Sequence, residues 1–412
     1  MKYIIIGNGI AGIHAADSIR RFDDKGSIIM ISDENCAPYS RPMISMVLEG
    51  SISPQKIYIH PNSFYEKNRI TTFFGERVTN LNIDEKCIIV GNNKIFSYDT
   101  LLIASGADPR PIHVKGIELD NIFYMRTETH VKKMISVLPN SKNALVLGGG
   151  LVGFKAAYAL LRRGLNVTML IRSPYPLSMQ VDDTAGHMIL NELINHGLTV
   201  KTMTEVTAFE GKDRVQKAYL SNGSELPCDL VVIGKGVLPS MSYIPKASIH
   251  TDSGVLVNNH METNVSGIYA AGDVAESYDI VRQSKWVNAI WPEAVSQGRI
   301  AGMNMAGKSV SYKGSLGRNV IRLFDMDVMT AGIVNPDDDR YQVISDFNAK
   351  KNTYRKFVFY HNVLRGYVLI NSIVQGGIFH TLISNQIQIK QSKDIFLSNQ
   401  FNFGNLLTQR VC

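Results

Sequence analysis

Cysteine is scarce in this chain. There are four in 412 residues, Cys36, Cys87, Cys228 and Cys412, far apart and without a C-x-x-C or metal-ligand spacing. That pattern gives no support to a disulfide framework, a zinc site or an iron–sulfur site, and the expectation is a reduced, cytoplasmic protein with no metal. Long apolar runs are missing too: none approaches the ~18–20 uninterrupted residues of a membrane helix, so no membrane partner is expected. The first apolar run is broken by Gly7, Asn8 and Gly9, which makes it a poor signal peptide. Glutamate is absent from Lys313 to Cys412, where 12 Lys and Arg face 7 Asp, so most of the net charge of +7 lies in the last quarter. Such an excess is either a solvated basic face or a field that steers an acidic partner. The basic residues are not interleaved with aromatics along a binding motif, so nucleic acid is not expected. What remains is 45% hydrophobic and 19% charged, the composition of a globular protein with two or three domains.

Two stretches carry the chemistry. The chain opens "KYIIIGNGIAGIHAADSIR" and continues to "SIIMIS" and Asp33-Glu34, and the same grammar returns in "NALVLGGGLVGFKAAYALLRRGLNVTMLIR". Each reads as strand, glycine turn, helix, strand, a βαβ unit of about 30 residues. In such a unit a pyrophosphate approaches the backbone at a helix N-terminus, where unpaired N–H groups and the helix dipole favour negative charge. In the first unit Gly7 allows the tight turn, Gly9 the close approach of phosphates and Gly12 the packing of helix on strand. Glu34, with Asp33 as the alternative, is placed to accept from the adenosine ribose hydroxyls. Gly148, Gly150 and Gly153 repeat the arrangement, but the following strand ends Leu170-Ile171-Arg172 with no acid. Arg172 either pairs with a 2′-phosphate or points to solvent.

Two dinucleotide sites in one chain imply a resident nucleotide and a visiting one. With these motifs the sequence resembles the FAD-dependent pyridine nucleotide-disulfide oxidoreductases, over essentially all of the chain to about residue 400. Ala104-Ser105-Gly106 resembles that family's A-T-G turn, where the chain crosses between domains, and Gly234-x-Gly236-x-x-Pro239 the turn before it crosses back. "GIYAAGDVAE" resembles the second FAD fingerprint, in which Gly272 forms the turn and Asp273 holds a ribityl hydroxyl. "PYSRPMIS" and "WPEAVSQGRIAGMNMAG" resemble segments of rubredoxin reductases, related ferredoxin reductases and the flavin domain of nitrite reductases. The resemblance implies that Arg41, Pro42, Val78 and Arg126 serve the FAD site and that Trp291 covers the flavin.

The chain departs from the disulfide reductases of that family. The cysteine pair is missing, Met43 or Ile44 stands where single-cysteine relatives place a thiol, and Cys36 lies too close to Glu34 to reach the flavin ring. No H-P motif frames His380. In many relatives the residue two after the last glycine is glutamate, paired with a lysine beside the flavin; here the two positions are Lys155 and Met46. Lys155, with Glu293 as its candidate partner, is expected to act catalytically by favouring the anionic reduced flavin, or else to face solvent.

The expected fold is α/β, with two Rossmann-like domains and a C-terminal α+β domain. The FAD domain is expected at 1–108 and 244–312, the NAD(P)H domain at 109–243 and the interface domain at 313–412. Electrons are expected to pass from NAD(P)H through FAD to a small carrier of the rubredoxin or ferredoxin class, in a monomer or homodimer. A dense basic patch at Lys350, Lys351, Arg355 and Lys356 would steer that carrier. The alternatives are an NAD(P)H oxidase using oxygen and a flavoprotein subunit of a nitrite reductase or carbon monoxide dehydrogenase type of assembly.

Overall fold

The computed structural model describes residues 1–61 and 63–407; Cys412 lies outside them. The chain gathers into two compact units. One comprises Met1–Ile44, Ile52–Asp108 and Val237–Ser315, the other Ser45–Ser51, Pro109–Gly236 and the chain from Leu316.

The first unit is built on a parallel sheet in the order Ile268–Ala270, Thr100–Ile103, Lys2–Ile6, Ser27–Ser32, Ile70–Phe74. Ile4 lies level with Leu101 on one side and Ile29 on the other. The run of isoleucines forms the central strand because both its faces are covered, as buried parallel strands require. The helices Ile10–Phe22 and Trp291–Met305 pack closely together through small residues. A Cβ added at Gly298 or Gly302 would lie 2.2 Å from the Ala11 carbonyl oxygen or 2.3 Å from that of Ala15, so their glycines let the helix backbones touch.

The second unit holds a parallel sheet of the same kind, in the order Thr199–Lys201, Asn166–Leu170, Asn143–Leu147, Leu230–Ile233, Ile122–Tyr124. The helix Leu151–Arg162 follows the central strand and buries Phe154, Ala156, Ala157 and Leu160. The same unit carries a five-stranded antiparallel sheet, ordered Arg318–Leu323, Met326–Gly332, Val363–Ile370, Thr353–Tyr360, Gln342–Asn348, and the helix Gly376–Ser384. The fold class is therefore α/β with two Rossmann-like sheets and a C-terminal α+β part.

The expected four-residue basic patch does not exist. Lys350 and Lys351 are exposed in the turn before strand Thr353–Tyr360, but Arg355 and Lys356 are 3% and 8% exposed. Alternation in a strand implies one wet face only if the other element layer is missing; here both faces are covered. Arg355 points into an aromatic cluster of Phe357, Phe379, Phe396 and Phe401 and donates to Asn399 Oδ1 and Gln375 Oε1, both at 2.7 Å. Burial pulls its guanidinium down to about 10. On the opposite face Lys356 Nζ meets Asp182 Oδ2 at 2.9 Å, and Tyr354 donates to the same oxygen at 2.6 Å. Asp182 also caps the helix Asp183–Asn195 by accepting from the Ala185 N–H. That carboxylate ties the helix to the antiparallel sheet of its own unit.

Candidate dinucleotide sites

Each unit carries one glycine turn, and the two are built alike. Gly7 has φ +114°, and a Cβ there would lie 2.1 Å from the Ala104 carbonyl oxygen; Gly148 has φ +110°, with the Gly234 carbonyl oxygen 2.5 Å from the same imagined atom. No L side chain fits either place. A Cβ on Gly12 would strike the Gly7 carbonyl oxygen at 2.1 Å, and one on Gly153 the Gly148 carbonyl oxygen at 1.9 Å. The middle glycines differ: around the Cβ position of Gly9 or Gly150 nothing lies within 4 Å. Each middle glycine is the N-cap of its helix, no side chain caps it, and no acid occupies the first turn. The outer glycines are thus consumed by packing, and the middle one opens a space in front of uncapped N–H donors. An anion of phosphate size fits such a cradle.

In the first unit, Glu34 follows the strand Ser27–Ser32 and is gathered with two neighbours. The Tyr39 hydroxyl donates to Glu34 at 2.6 Å, and the Arg41 guanidinium pairs with the same carboxylate and donates to the Tyr39 oxygen at 3.0 Å. Burial pulls the Arg41 guanidinium down, but Tyr39 and Glu34, with Asp273 further off, outweigh it and leave it raised. Arg41 and Asp273 therefore share one field. Gly272 has φ +82° and its N–H donates to Gln297 Oε1 at 2.8 Å, so the fully buried Gln297, absent from the sequence reading, fixes the turn before Asp273. Ser105 Oγ donates to the Ser240 carbonyl at 2.8 Å, and Gly106, with φ +71°, accepts from the Ser240 N–H at 3.0 Å. Ala104 and Val78 are buried, and Pro42 is exposed beside Arg41. Trp291 opens its helix and packs on the core of this unit. Glu293, in the first turn of that helix, is 6% exposed and accepts from the Tyr312 hydroxyl. The sequence reading missed this partner.

In the second unit Arg172 is exposed just past the strand Asn166–Leu170. It stands near Glu205, whose carboxyl is lowered mainly by the hydrogen bond from Lys235 and to a lesser degree by the charge of Arg172. Lys235 lies between Gly234 and Gly236, the latter with φ +88°. An acid near this strand end would repel a 2′-phosphate; here it is neutralised by a lysine. Arg126 is partly buried in the turn before the helix Glu128–Val137, whose N–H at His130 is capped by Thr127. Lys155 lies in the helix that begins at Gly150. It is partly buried, burial lowers its ammonium, and no hydrogen bond or ion pair holds it among the described residues. Met46 is 39% exposed on a short segment held by Arg163, which donates to the Leu48 carbonyl at 2.7 Å.

Fold and site define a class: a protein with two glycine-turn dinucleotide units in one chain. The chain belongs to the pyridine nucleotide-disulphide oxidoreductase family, whose model matches residues 1–298. It is similar to the NADH-dependent phenylglyoxylate dehydrogenase subunit epsilon of Aromatoleum evansii, 29% identical over 98% of this chain and 96% of that one. It is similar to the NADH-rubredoxin oxidoreductase of Clostridium acetobutylicum, 30% identical over 80% of this chain and 81% of that protein. The nitrite reductase [NAD(P)H] of Bacillus subtilis is 27% identical over 96% of this chain, which spans only 48% of that relative's length. Among solved structures, a ferredoxin reductase from Rhodopseudomonas palustris superposes with a TM-score of 0.89 at 23% identity, over 98% of this chain and 99% of that one. No helix among the described residues is long and apolar enough to cross a membrane.

Proposed function

We propose that this chain is an FAD-dependent NAD(P)H oxidoreductase that passes electrons to a small redox protein of the rubredoxin or ferredoxin class. The observation that carries the reading is the pair of matched cradles, each with two glycines locked in packing and a third facing open space. FAD belongs in the first cradle, where Glu34 meets the adenosine ribose and Asp273 the ribityl chain, with Arg41 and Trp291 completing the site. NAD(P)H belongs in the second, on Gly148, Gly150 and Gly153. When bound, the flavin takes a hydride from the nicotinamide and gives up electrons singly. The protein's own share is alignment, because hydride transfer depends on close, oriented approach and needs no side chain to shuttle a proton. The missing cysteine pair fits an acceptor that is a separate molecule. The full-length match to a dehydrogenase subunit favours a second reading, in which the chain does the same chemistry inside a larger assembly. Steady-state assays with rubredoxin, ferredoxin and oxygen, each as sole acceptor, test the proposal: fast reduction of a carrier protein supports it, and turnover with oxygen alone supports an oxidase.

Arg172 is proposed to take the 2′-phosphate of NADPH. Arg172→Ala is expected to raise the KM for NADPH about ten-fold more than that for NADH, the size of a lost hydrogen bond to a charged group. An unchanged NADPH/NADH ratio returns Arg172 to solvent.

Lys155 is proposed to tune the flavin electrostatically, since its charge is unpaired among the described residues and partly desolvated. On this proposal, removing the charge, worth about 1–3 kcal/mol to the reduced flavin, would lower the two-electron midpoint potential by about 20–60 mV. Lys155→Met tests this by anaerobic redox titration, and a potential equal to that of the wild type rules it out.

A further inference from the structure

The two cradles differ most in chemistry at the residue between the first and second glycines. In the second unit it is Gly149, where a Cβ would lie 2.5 Å from Ile171 Cγ2, so the turn packs there on an apolar side chain. In the first unit it is Asn8, 9% exposed, and both polar atoms of its side chain are hydrogen-bonded. The Asn8 amide Nδ2 donates to the Cys36 carbonyl at 3.1 Å, and the Tyr65 hydroxyl donates to Asn8 Oδ1 at 2.7 Å. The orientation of the amide follows from its partners: a carbonyl only accepts, so the NH₂ faces Cys36 and the oxygen is left for the tyrosine. Tyr65 is 7% exposed and seated edge-on against Phe64 and Phe74, at 5.5 and 5.3 Å between ring centres. Its ring has one place to stand.

We infer that Tyr65 is a positioning residue for the resident flavin dinucleotide, acting through Asn8 as a latch on the first cradle. The latch joins three pieces of chain that sequence separates: the glycine turn, the segment at Cys36 two residues after Glu34, and the helix Ser63–Lys67. It fixes the pyrophosphate turn and the ribose-binding segment to one another before the cofactor arrives, so that binding need not order them. The second cradle has no such side-chain bridge among the described residues: Gly149 is tied only through its backbone, its carbonyl accepting from the Leu177 N–H at 2.8 Å. A side-chain latch on one turn and a backbone tie alone on the other fits a cofactor that stays and a co-substrate that leaves each turnover. The inference rests on the assignment of FAD to the first cradle.

The test is FAD release from the purified holoenzyme, followed by the rise of flavin fluorescence on dilution. Tyr65→Phe keeps the ring and removes the one hydroxyl, and a buried hydrogen bond of ordinary strength predicts a FAD dissociation rate about ten-fold faster. Asn8→Gly, which gives the first turn the residue of the second, is expected to speed release at least as much. In the double variant the two effects should not add, because either change alone breaks the latch. A residue that served stability alone would lower the Tm of the apoprotein and leave the release rate in place; that outcome for Tyr65→Phe overturns the latch. So do additive effects in the double variant. A wild-type protein that neither carries FAD nor takes it up removes the cradle assignment itself, which the release measurement on a yellow protein cannot do.

Discussion

Gly9→Val yields a protein that folds but purifies without colour. The substitution is chosen because the space beyond Gly9 is open: no atom lies within 4 Å of the Cβ position, so a β-carbon there strikes nothing in the protein. Its φ of −80° is also one that valine adopts freely. What the isopropyl group fills is the approach of the pyrophosphate to the N–H groups of helix Ile10–Phe22. Expected FAD content falls below about a tenth of one per chain, the loss that follows when phosphate and backbone cannot meet. Far-ultraviolet circular dichroism should match that of wild-type apoprotein, and the apoprotein Tm should fall by only about a few degrees, the cost of valine at the N-cap of this helix. Flavin absorbance after gel filtration is the check, and full flavin content in the variant would move the cofactor away from this turn. The same change at Gly7 or Gly12 would be a poor test. There the added atoms collide with backbone, and loss of flavin would be confounded with loss of fold.

Gly150→Val has the complementary outcome. The variant should be yellow, with about one FAD per chain, and should be reduced by NAD(P)H more than about 100-fold more slowly, the scale on which misplaced reactants lose an aligned reaction. The physical argument is the same open space, now in the second unit, in front of a helix whose first turn has neither a capping side chain nor an acid. Stopped-flow absorbance with each nucleotide reads the rate, and dithionite, which needs no nucleotide site, should still bleach the flavin at the wild-type rate. Undiminished reduction by NADPH and NADH would place the hydride donor elsewhere.

The glycines were legible in the sequence because they answer to backbone geometry. A positive φ at Gly7 and Gly148, and contacts near 2 Å at Gly12 and Gly153, leave no other residue possible, so the pattern survives in the letters. The two parallel sheets were legible for a related reason, since uninterrupted runs such as "KYIII" and "LVVI" make sense only where both faces are covered. Side-chain partnerships were not legible. Asn8 and Tyr65 are 57 residues apart, and nothing in either segment announces the other. Glu293 reads as a partner for Lys155 until Tyr312 is seen to donate to it, and Glu205 has no meaning at the second site until Lys235 and Arg172 stand beside it. The basic patch failed for a packing reason. Arg355 and Lys356 sit in a strand that alternation would half expose, but aromatic rings close one face and Asp182 with its helix closes the other.

The central claim is that one chain holds both nucleotides and moves electrons between them and outward. Anaerobic double mixing tests it most directly: the yellow protein is mixed with one equivalent of NADPH or NADH, then with oxidised rubredoxin, while flavin and rubredoxin absorbance are followed. The account predicts that the nucleotide bleaches the flavin in the first step, and that in the second the flavin colour returns as about two rubredoxins are reduced, one electron each. A flavin that neither nucleotide bleaches, in a protein that dithionite reduces at once, would contradict it.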